Sequence, residues 1–315
     1  MENSRVQKGK SDLDIDLHQY NLTSYTVNLI WKDTVYLVKS KEGEFILKRV
    51  LNDNGRLDRM FEEHQLLNYL YEMSVPVAYP LKTKNGCTYL EADNYLYVLT
   101  PKIPNDGADF FSQSHSIYTD IGRSIAHFHK AIATYPNTLQ RWNVEPYNTL
   151  YQDIAPELKK YLHENECEKI TKILIKLKGE MRETFNGLPT QRIHGDCHPG
   201  NVCVSHNKVT GYVDCDHFPV GPRIFDVCYY LIHIIKWHLD DNVKVKLFLS
   251  HYLYMLRAYN SIIPLTIKDK RAFWYMLLYI QLLFFKFKMS CGDEQGFIDL
   301  KAFWWVYNNR ENLSI

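Results

Sequence analysis

No Cys-x-x-Cys pair occurs in this chain of 315 residues, and its seven cysteines are odd in number. Both facts argue against a disulfide framework or a structural zinc site, and a reducing compartment is expected. An excess of one charge is also missing. With 37 Lys and Arg against 36 Asp and Glu, the net charge is +1, which is not the footprint of a dedicated nucleic-acid binder. Repeats, low-complexity tracts and Ser/Gly linkers are absent, so any two lobes must be joined by a short ordered connector. The opening MENSRVQKGK lacks the apolar core of a signal peptide. The longest apolar stretch, residues 273–285, is interrupted by Gln281 and is too short to span a bilayer, so it reads as a buried helix. What is present is 46% hydrophobic and 14% aromatic, ample for a packed core. The expectation is a soluble, cytoplasmic, globular protein with neither membrane nor nucleic acid as partner.

Texture changes along the chain. Residues 34–39 and 44–50 are β-rich runs separated by Lys41-Glu42-Gly43, a hairpin turn signal. Leu57, Met60, Phe61, Leu67, Leu70 and Tyr71 then recur at helical spacing, which predicts about four turns ended near Pro76. A second hairpin is expected at Lys84-Asn85-Gly86, its far strand leading to residues 95–100, with Pro101 and Pro104 stopping the sheet pattern. Helical periodicity follows over 117–131 and, as one long mixed region, over 158–185. Short strands and turns occupy 192–225, and aromatic-rich helices 227–307. That last part holds 19 of the 44 aromatics and is the more basic end, with eleven Lys/Arg against seven Asp/Glu in 227–315. Strands first and helices later predict an α+β protein of two lobes, divided as 1–101 and 102–315.

The chemistry concentrates in His194-Gly195-Asp196-Cys197-His198-Pro199-Gly200-Asn201. Asp214 stands thirteen residues after Asn201, and Asp226 twelve further on. The Asp-x4-Asn spacing matches a kinase catalytic loop, in which Asp accepts a hydroxyl proton and Asn holds a metal. A second Asp after the following hairpin completes the hard oxygen set that Mg²⁺ prefers.

This stretch resembles the aminoglycoside phosphotransferase and choline kinase-like family, whose signature is His-Gly-Asp-x-His-x-x-Asn followed by an Asp-bearing hairpin. The resemblance implies a protein-kinase-like fold, with a small antiparallel-sheet N-lobe that binds nucleotide and a mainly helical C-lobe that binds the acceptor. It implies ATP and Mg²⁺ as cofactors and a small-molecule hydroxyl as acceptor. Asp196 becomes the catalytic base, and Asn201 and Asp214 the metal ligands. His198 sits where a side chain faces the transferring phosphate, while His194 and Asp226 brace the loop. Upstream, Phe45-Ile46-Leu47-Lys48 resembles the strand whose Lys pairs nucleotide phosphates, Glu63 the helix Glu that holds that Lys, and Leu99-Thr100 part of the connector that faces adenine. The similarity covers roughly residues 20–235.

One departure stands out. The phosphate-covering loop near Leu29-Ile30-Trp31-Lys32-Asp33 contains no glycine, which counts against a protein kinase more than against a small-molecule kinase. The early strands also resemble spore-coat-associated members of the family, so a kinase-like binding protein with little turnover is the alternative. Asp216 is open between a second metal ligand and a structural acceptor. Cys197, Cys203, Cys215 and Cys228 with His198 and His217 fit no zinc spacing and read as buried thiols. His127 and His129 read as core or interlobe contacts, and Phe303-Trp304-Trp305-Val306-Tyr307 as packing. The few, scattered carboxylates of 227–315 predict an acceptor other than a polycationic aminoglycoside.

Overall fold

A computed structural model describes residues 13, 15–53, 55–136, 143–313 and 315, so the opening decapeptide lies outside the described residues. The chain divides into two compact units, 1–104 with 211–216, and 105–210 with 217–315. A single cut after residue 101 misses the short segment 211–216, which returns to the first unit.

Among the described residues the first unit is a five-stranded antiparallel sheet with one α-helix and a short 3-10 turn at Leu17–Tyr20. Its strands are β1 (Tyr25–Trp31), β2 (Val35–Ser40), β3 (Gly43–Leu51), β4 (Leu90–Ala92) and β5 (Tyr95–Pro101), in the order β1-β2-β3-β5-β4. Helix α1 (Arg56–Glu72) lies between β3 and β4 in the chain. Alternation along the strands sorts the side chains onto two faces. Leu47, Tyr97 and Leu99 pack with Tyr36, Val38 and the N-terminal Leu17, Tyr20 and Leu22. Leu96 and Val98 pack on the other face with Met60 of α1. Lys48 pairs in register with Val98, so it belongs to the face that carries α1.

Two turns differ from the sequence expectation. The hairpin between β4 and β5 turns at Asp93 and Asn94, both with left-handed backbone (φ 49° and 64°), as a two-residue hairpin requires. Lys84-Asn85-Gly86 is a turn as well, closed by Gly86 N–H to the Thr83 carbonyl at 2.9 Å, but it joins no strands. Between β1 and β2, Lys32 and Asp33 are also left-handed (φ 43° and 52°), in a three-residue turn, 32–34, that joins Trp31 to Val35. A long glycine-rich loop is replaced here by a compact hairpin tip whose Leu29, Ile30 and Trp31 are half exposed.

The second unit is mainly helical. Helix α2 (Ser116–Ile132) is followed by a short turn, α3 (Pro146–Asn148), that runs into π and 3-10 turns to Lys160. Helix α4 (Glu164–Phe185) starts anew after a break at 161–163, so the mixed helical region expected over 158–185 is two pieces. The short strands β6 (Thr190–Arg192) and β9 (Val220–Pro222) pair with each other, as do β7 (Val202–Ser205) and β8 (Lys208–Tyr212). Helices α5 (Ile224–Ile235), α6 (Asn242–Asn260), α7 (Ile267–Ser290) and α8 (Gly296–Asn308) complete the unit.

Helix α5 is buried along nearly its whole length and packs on α7. A reciprocal cap fixes the start of α7, with Thr266 Oγ1 accepting the Asp269 N–H and Asp269 Oδ2 accepting the Thr266 N–H. By length and composition α7 could cross a membrane, yet 67% of its apolar window is buried inside the fold, as a core helix is. Phe303 and Val306 are fully buried, which makes the 303–307 cluster packing. All seven cysteines are free thiols, and no cluster of three metal-binding side chains occurs among the described residues.

Candidate active site

The loop between β6 and β7 carries the His-Gly-Asp motif, and its shape is set from helix α5. Asp226, fully buried in the first turn of that helix, accepts the N–H of His194 (2.8 Å) and of Gly195 (2.9 Å). Its Oδ2 also lies 2.9 Å from His129 Nε2, and His129 Nδ1 lies 2.8 Å from the Tyr259 hydroxyl. His129 is therefore a core contact, while His127 is exposed. Gly195 is left-handed (φ 81°), and a Cβ there would come 2.5 Å from the Pro219 ring, so no other residue fits. The Asp196 N–H points at His194 Nδ1 at 3.3 Å.

Asp196 is thereby presented in a fixed frame. Asn201 Nδ2 donates to the Asp196 carbonyl (3.0 Å) and to its Oδ2 (2.8 Å). With both amide hydrogens used in this way, Oδ1 is the atom of Asn201 left to act as a ligand. His198 Nδ1 accepts the Gly200 N–H at 2.9 Å, which puts the ring proton on Nε2. That nitrogen faces Asp196 Oδ2 at 3.7 Å.

Aromatic rings border this group. The Tyr229 hydroxyl donates to Asp196 Oδ1 at 3.1 Å, and its ring stacks on Phe284 at 4.5 Å and 4°. His233 stands edge-on to Tyr229 and stacks on His198 at 5.2 Å. Burial, helped by Lys236 and His198, pushes the His233 imidazolium well below its usual range, so His233 is neutral near pH 7. Tyr229 and His233 lie in an apolar run and carry no motif that could have singled them out.

The first unit holds the other residues. The Lys48 ammonium pairs with the Asp214 carboxylate, both groups partly exposed. The segment carrying Asp214 is tied to the same unit by two backbone bonds, Tyr212 N–H to the Pro76 carbonyl (2.7 Å) and Ala78 N–H to the Tyr212 carbonyl (2.9 Å). Asp214 itself adopts left-handed backbone (φ 54°), a conformation that its short polar side chain tolerates. Asp216, two residues on, is half-buried.

Two expectations change at this point. Glu63 is buried on α1, but its carboxylate is taken by Arg56 Nη1, at 3.1 Å and 3.2 Å, and the partner of Lys48 is Asp214. The reason is local: Arg56 lies two helical turns before Glu63 on the same face. Leu99 and Thr100, expected in a connector, lie inside β5. The Leu99 side chain is fully buried in the sheet core and its carbonyl accepts the Leu81 N–H at 2.8 Å, while Thr100 Oγ1 lies 3.5 Å from the Ile46 carbonyl.

Asp196 with Asn201 in the second unit, and Lys48 with Asp214 in the first, are the residue types that phosphoryl transfer uses. The profile of the phosphotransferase enzyme family matches residues 28–247. This chain belongs to that family. It is 28% identical over 254 residues to the uncharacterized protein sll1119 of Synechocystis sp. (strain PCC 6803), covering 76% of this chain and 65% of that protein. It is also 28% identical over 206 residues to the serine/threonine protein kinase RdoA of Salmonella typhimurium, covering 62% of this chain and 59% of the relative. The chain thus spans about three-fifths of the length of these curated relatives.

Among solved structures, a microcompartment-associated aminopropanol kinase superposes with TM-score 0.67 at 16% identity, covering 94% of this chain and 97% of the other. Amicoumacin kinase hAmiN, in complex with AMP-PNP, Ca²⁺ and Ami, gives 0.65 at 15% identity, covering 91% and 88%. At such identities these likenesses establish the fold: an antiparallel-sheet N-terminal part and a mainly helical C-terminal part, of protein-kinase-like type.

Proposed function

We propose that this protein is an ATP-dependent kinase that transfers the γ-phosphoryl group to the hydroxyl of a small molecule. The observation that carries the reading is the hold on Asp196: a carboxylate fixed by Asn201 within a loop braced by Asp226. Such a group is positioned to take a proton rather than to build the core.

In the step we propose, the acceptor oxygen forms a bond to the γ-phosphorus as the bond from phosphorus to the ADP oxygen breaks. The hydroxyl proton passes to the Asp196 carboxylate. Lys48 supplies an ammonium to the phosphates; with three donor hydrogens it can do so while keeping Asp214. Asn201 Oδ1 and the Asp214 carboxylate are the oxygens offered to Mg²⁺, which when bound neutralises phosphate charge. His198, with its proton on Nε2, donates toward the group in transfer. Asp216 serves as a further acceptor, Glu63 and Arg56 anchor α1, and Thr100, on the same face of the sheet as Lys48, borders the nucleotide side, whereas Leu99 packs the opposite face.

The acceptor we propose is not a polycationic aminoglycoside. Asp269 is spent on the α7 cap and Arg223, Asp299 on Lys236 and Lys288, Asp241 on the α6 cap and Asp240 on Lys301. The rings of Tyr229, Phe284 and neutral His233 suit an alcohol with some apolar surface. A seryl or threonyl hydroxyl of a protein is the second reading, favoured by the name of the Salmonella relative. A kinase-like scaffold without turnover, of the spore-coat kind, is the rival from another class.

Incubation with Mg-ATP and a panel of amino alcohols, sugars, hydroxy amino acids, aminoglycosides and dephosphorylated casein decides among these. Turnover of a small alcohol, lost about 10²–10⁴-fold in Asp196→Asn with ATP binding retained, is the expected result. Label entering casein alone selects the protein-kinase reading, efficient aminoglycoside phosphorylation removes the restriction on the acceptor, and no turnover of any acceptor selects the scaffold.

A further inference from the structure

We infer that Tyr229 is a positioning residue for the catalytic carboxylate, an inference that rests on the reading of Asp196 as the acceptor base. An ionised carboxylate only accepts hydrogen bonds, and its rotation about the terminal torsion is soft. One bond, from Asn201 to Oδ2, leaves that rotation incompletely fixed. The Tyr229 hydroxyl donates to the other oxygen, Oδ1, at 3.1 Å, so each oxygen of Asp196 is held from a different element.

The clamp is stiff because the phenol is. The ring is 3% exposed, stacks on Phe284 of α7 at 4.5 Å and 4°, and meets His233 edge-on at 4.4 Å and 86°. Burial, with the Asp196 charge second, holds the phenol well above its usual range, so it stays a donor throughout the working pH. Tyr229 also lies one helical turn after Asp226. Helix α5 thus fixes the base twice, through the backbone of its loop by Asp226 and through its side chain by Tyr229.

Packing alone does not explain the hydroxyl. A phenylalanine would keep the stack on Phe284 and would bury no polar atom, whereas a buried hydroxyl costs free energy unless it is bonded. The oxygen is spent on Asp196, and small misplacements of a reacting group cost large factors in rate.

The test is Tyr229→Phe in the full chain, assayed by Mg-ATP hydrolysis, with water as acceptor, beside the wild type. The expected result is an unchanged Tm, unchanged ATP affinity and KM, and a kcat lower by about tenfold. A merely structural loss would lower Tm or raise KM along with the fall in kcat. An active wild type with the same kcat in the variant overturns the inference, as does a fall in kcat that tracks a fall in Tm or a rise in KM. A wild type that hydrolyses no ATP overturns the kinase reading itself, and the inference with it, and is seen in the wild-type arm alone.

Discussion

Asp226 accepts the backbone N–H of His194 at 2.8 Å, and its other oxygen accepts the next N–H, that of Gly195, at 2.9 Å. A carboxylate thirty-two residues downstream therefore fixes the turn from which Asp196 projects. With His129 on the same group, Asp226 has no role left for solvent or substrate. It is the joint between a core helix and the loop that carries Asp196.

Asp226→Asn keeps the shape of the side chain but turns one acceptor oxygen into a donor nitrogen. That nitrogen must face either a backbone N–H or His129, and the buried network cannot satisfy it. Unfolding in urea should show a loss of about 3 kcal/mol, the range for breaking a buried charged network. Turnover should fall with it, since the loop loses its anchor. A variant as stable as the wild type would show that the loop holds its shape without this carboxylate.

Lys48 offers the opposite balance. Its pair with Asp214 has side chains 36% and 54% exposed, and exposed pairs contribute under about 1 kcal/mol to stability. Lys48→Met should therefore leave Tm almost unchanged, yet weaken Mg-ATP binding by at least about tenfold, or ~1.4 kcal/mol. Calorimetric titration measures the second quantity and thermal unfolding the first. A large fall in Tm with normal binding would make the pair structural.

Much of this was legible beforehand, and the limits have physical causes. The β-rich runs at 34–39 and 44–50, the turn at Lys41-Glu42-Gly43 and the helical spacing from Leu57 to Tyr71 all correspond to observed elements, because each is a local signal. The β4–β5 turn was placed at Lys84-Asn85-Gly86 because a glycine is the stronger signal, while Asp93 and Asn94 reach left-handed backbone without one. The motif loop was visible because its residues are close in sequence. The partner of Lys48 was not, since Asp214 lies 166 residues away and arrives through the pairing of Tyr212 with Val77. Tyr229 was hidden for another reason: a tyrosine in an apolar helix reads as core, and nothing local marks a hydroxyl that is aimed at a carboxylate.

Helices α2 and α6 pack closely at one point. A Cβ built on Gly122 would come 2.1 Å from the Met255 carbonyl oxygen, a backbone atom that cannot turn aside. Gly122→Ala should cost about 2 kcal/mol, as overpacking of a tight contact outweighs the better helix propensity of alanine. Gly179 on α4 is the control. Nothing lies within 4 Å of its Cβ, so Gly179→Ala should stabilise by about 0.5–1 kcal/mol. Denaturant titrations should return opposite signs for the two variants. Like signs would mean that propensity, or packing, alone governs both sites.

His64 makes the first unit sensitive to acid. It is buried on α1 with Nδ1 2.7 Å from Thr88 Oγ1, and burial, then the charge of Arg56, push its imidazolium down from 6.5 to about 4. As pH falls, the unfolded chain takes up this proton first, because the folded form resists it. The contribution is therefore fully present above about 6.5 and is lost progressively toward about 4, below which both forms carry the proton. Between pH 7.5 and pH 5 the loss from this one group is about 2 kcal/mol. His64→Gln keeps a polar partner for Thr88 and removes the titration. Urea unfolding of both proteins at the two pH values should show the wild type losing about 2 kcal/mol more than the variant. Equal losses would place the acid sensitivity on other groups, because the difference between the two proteins cancels every titration they share.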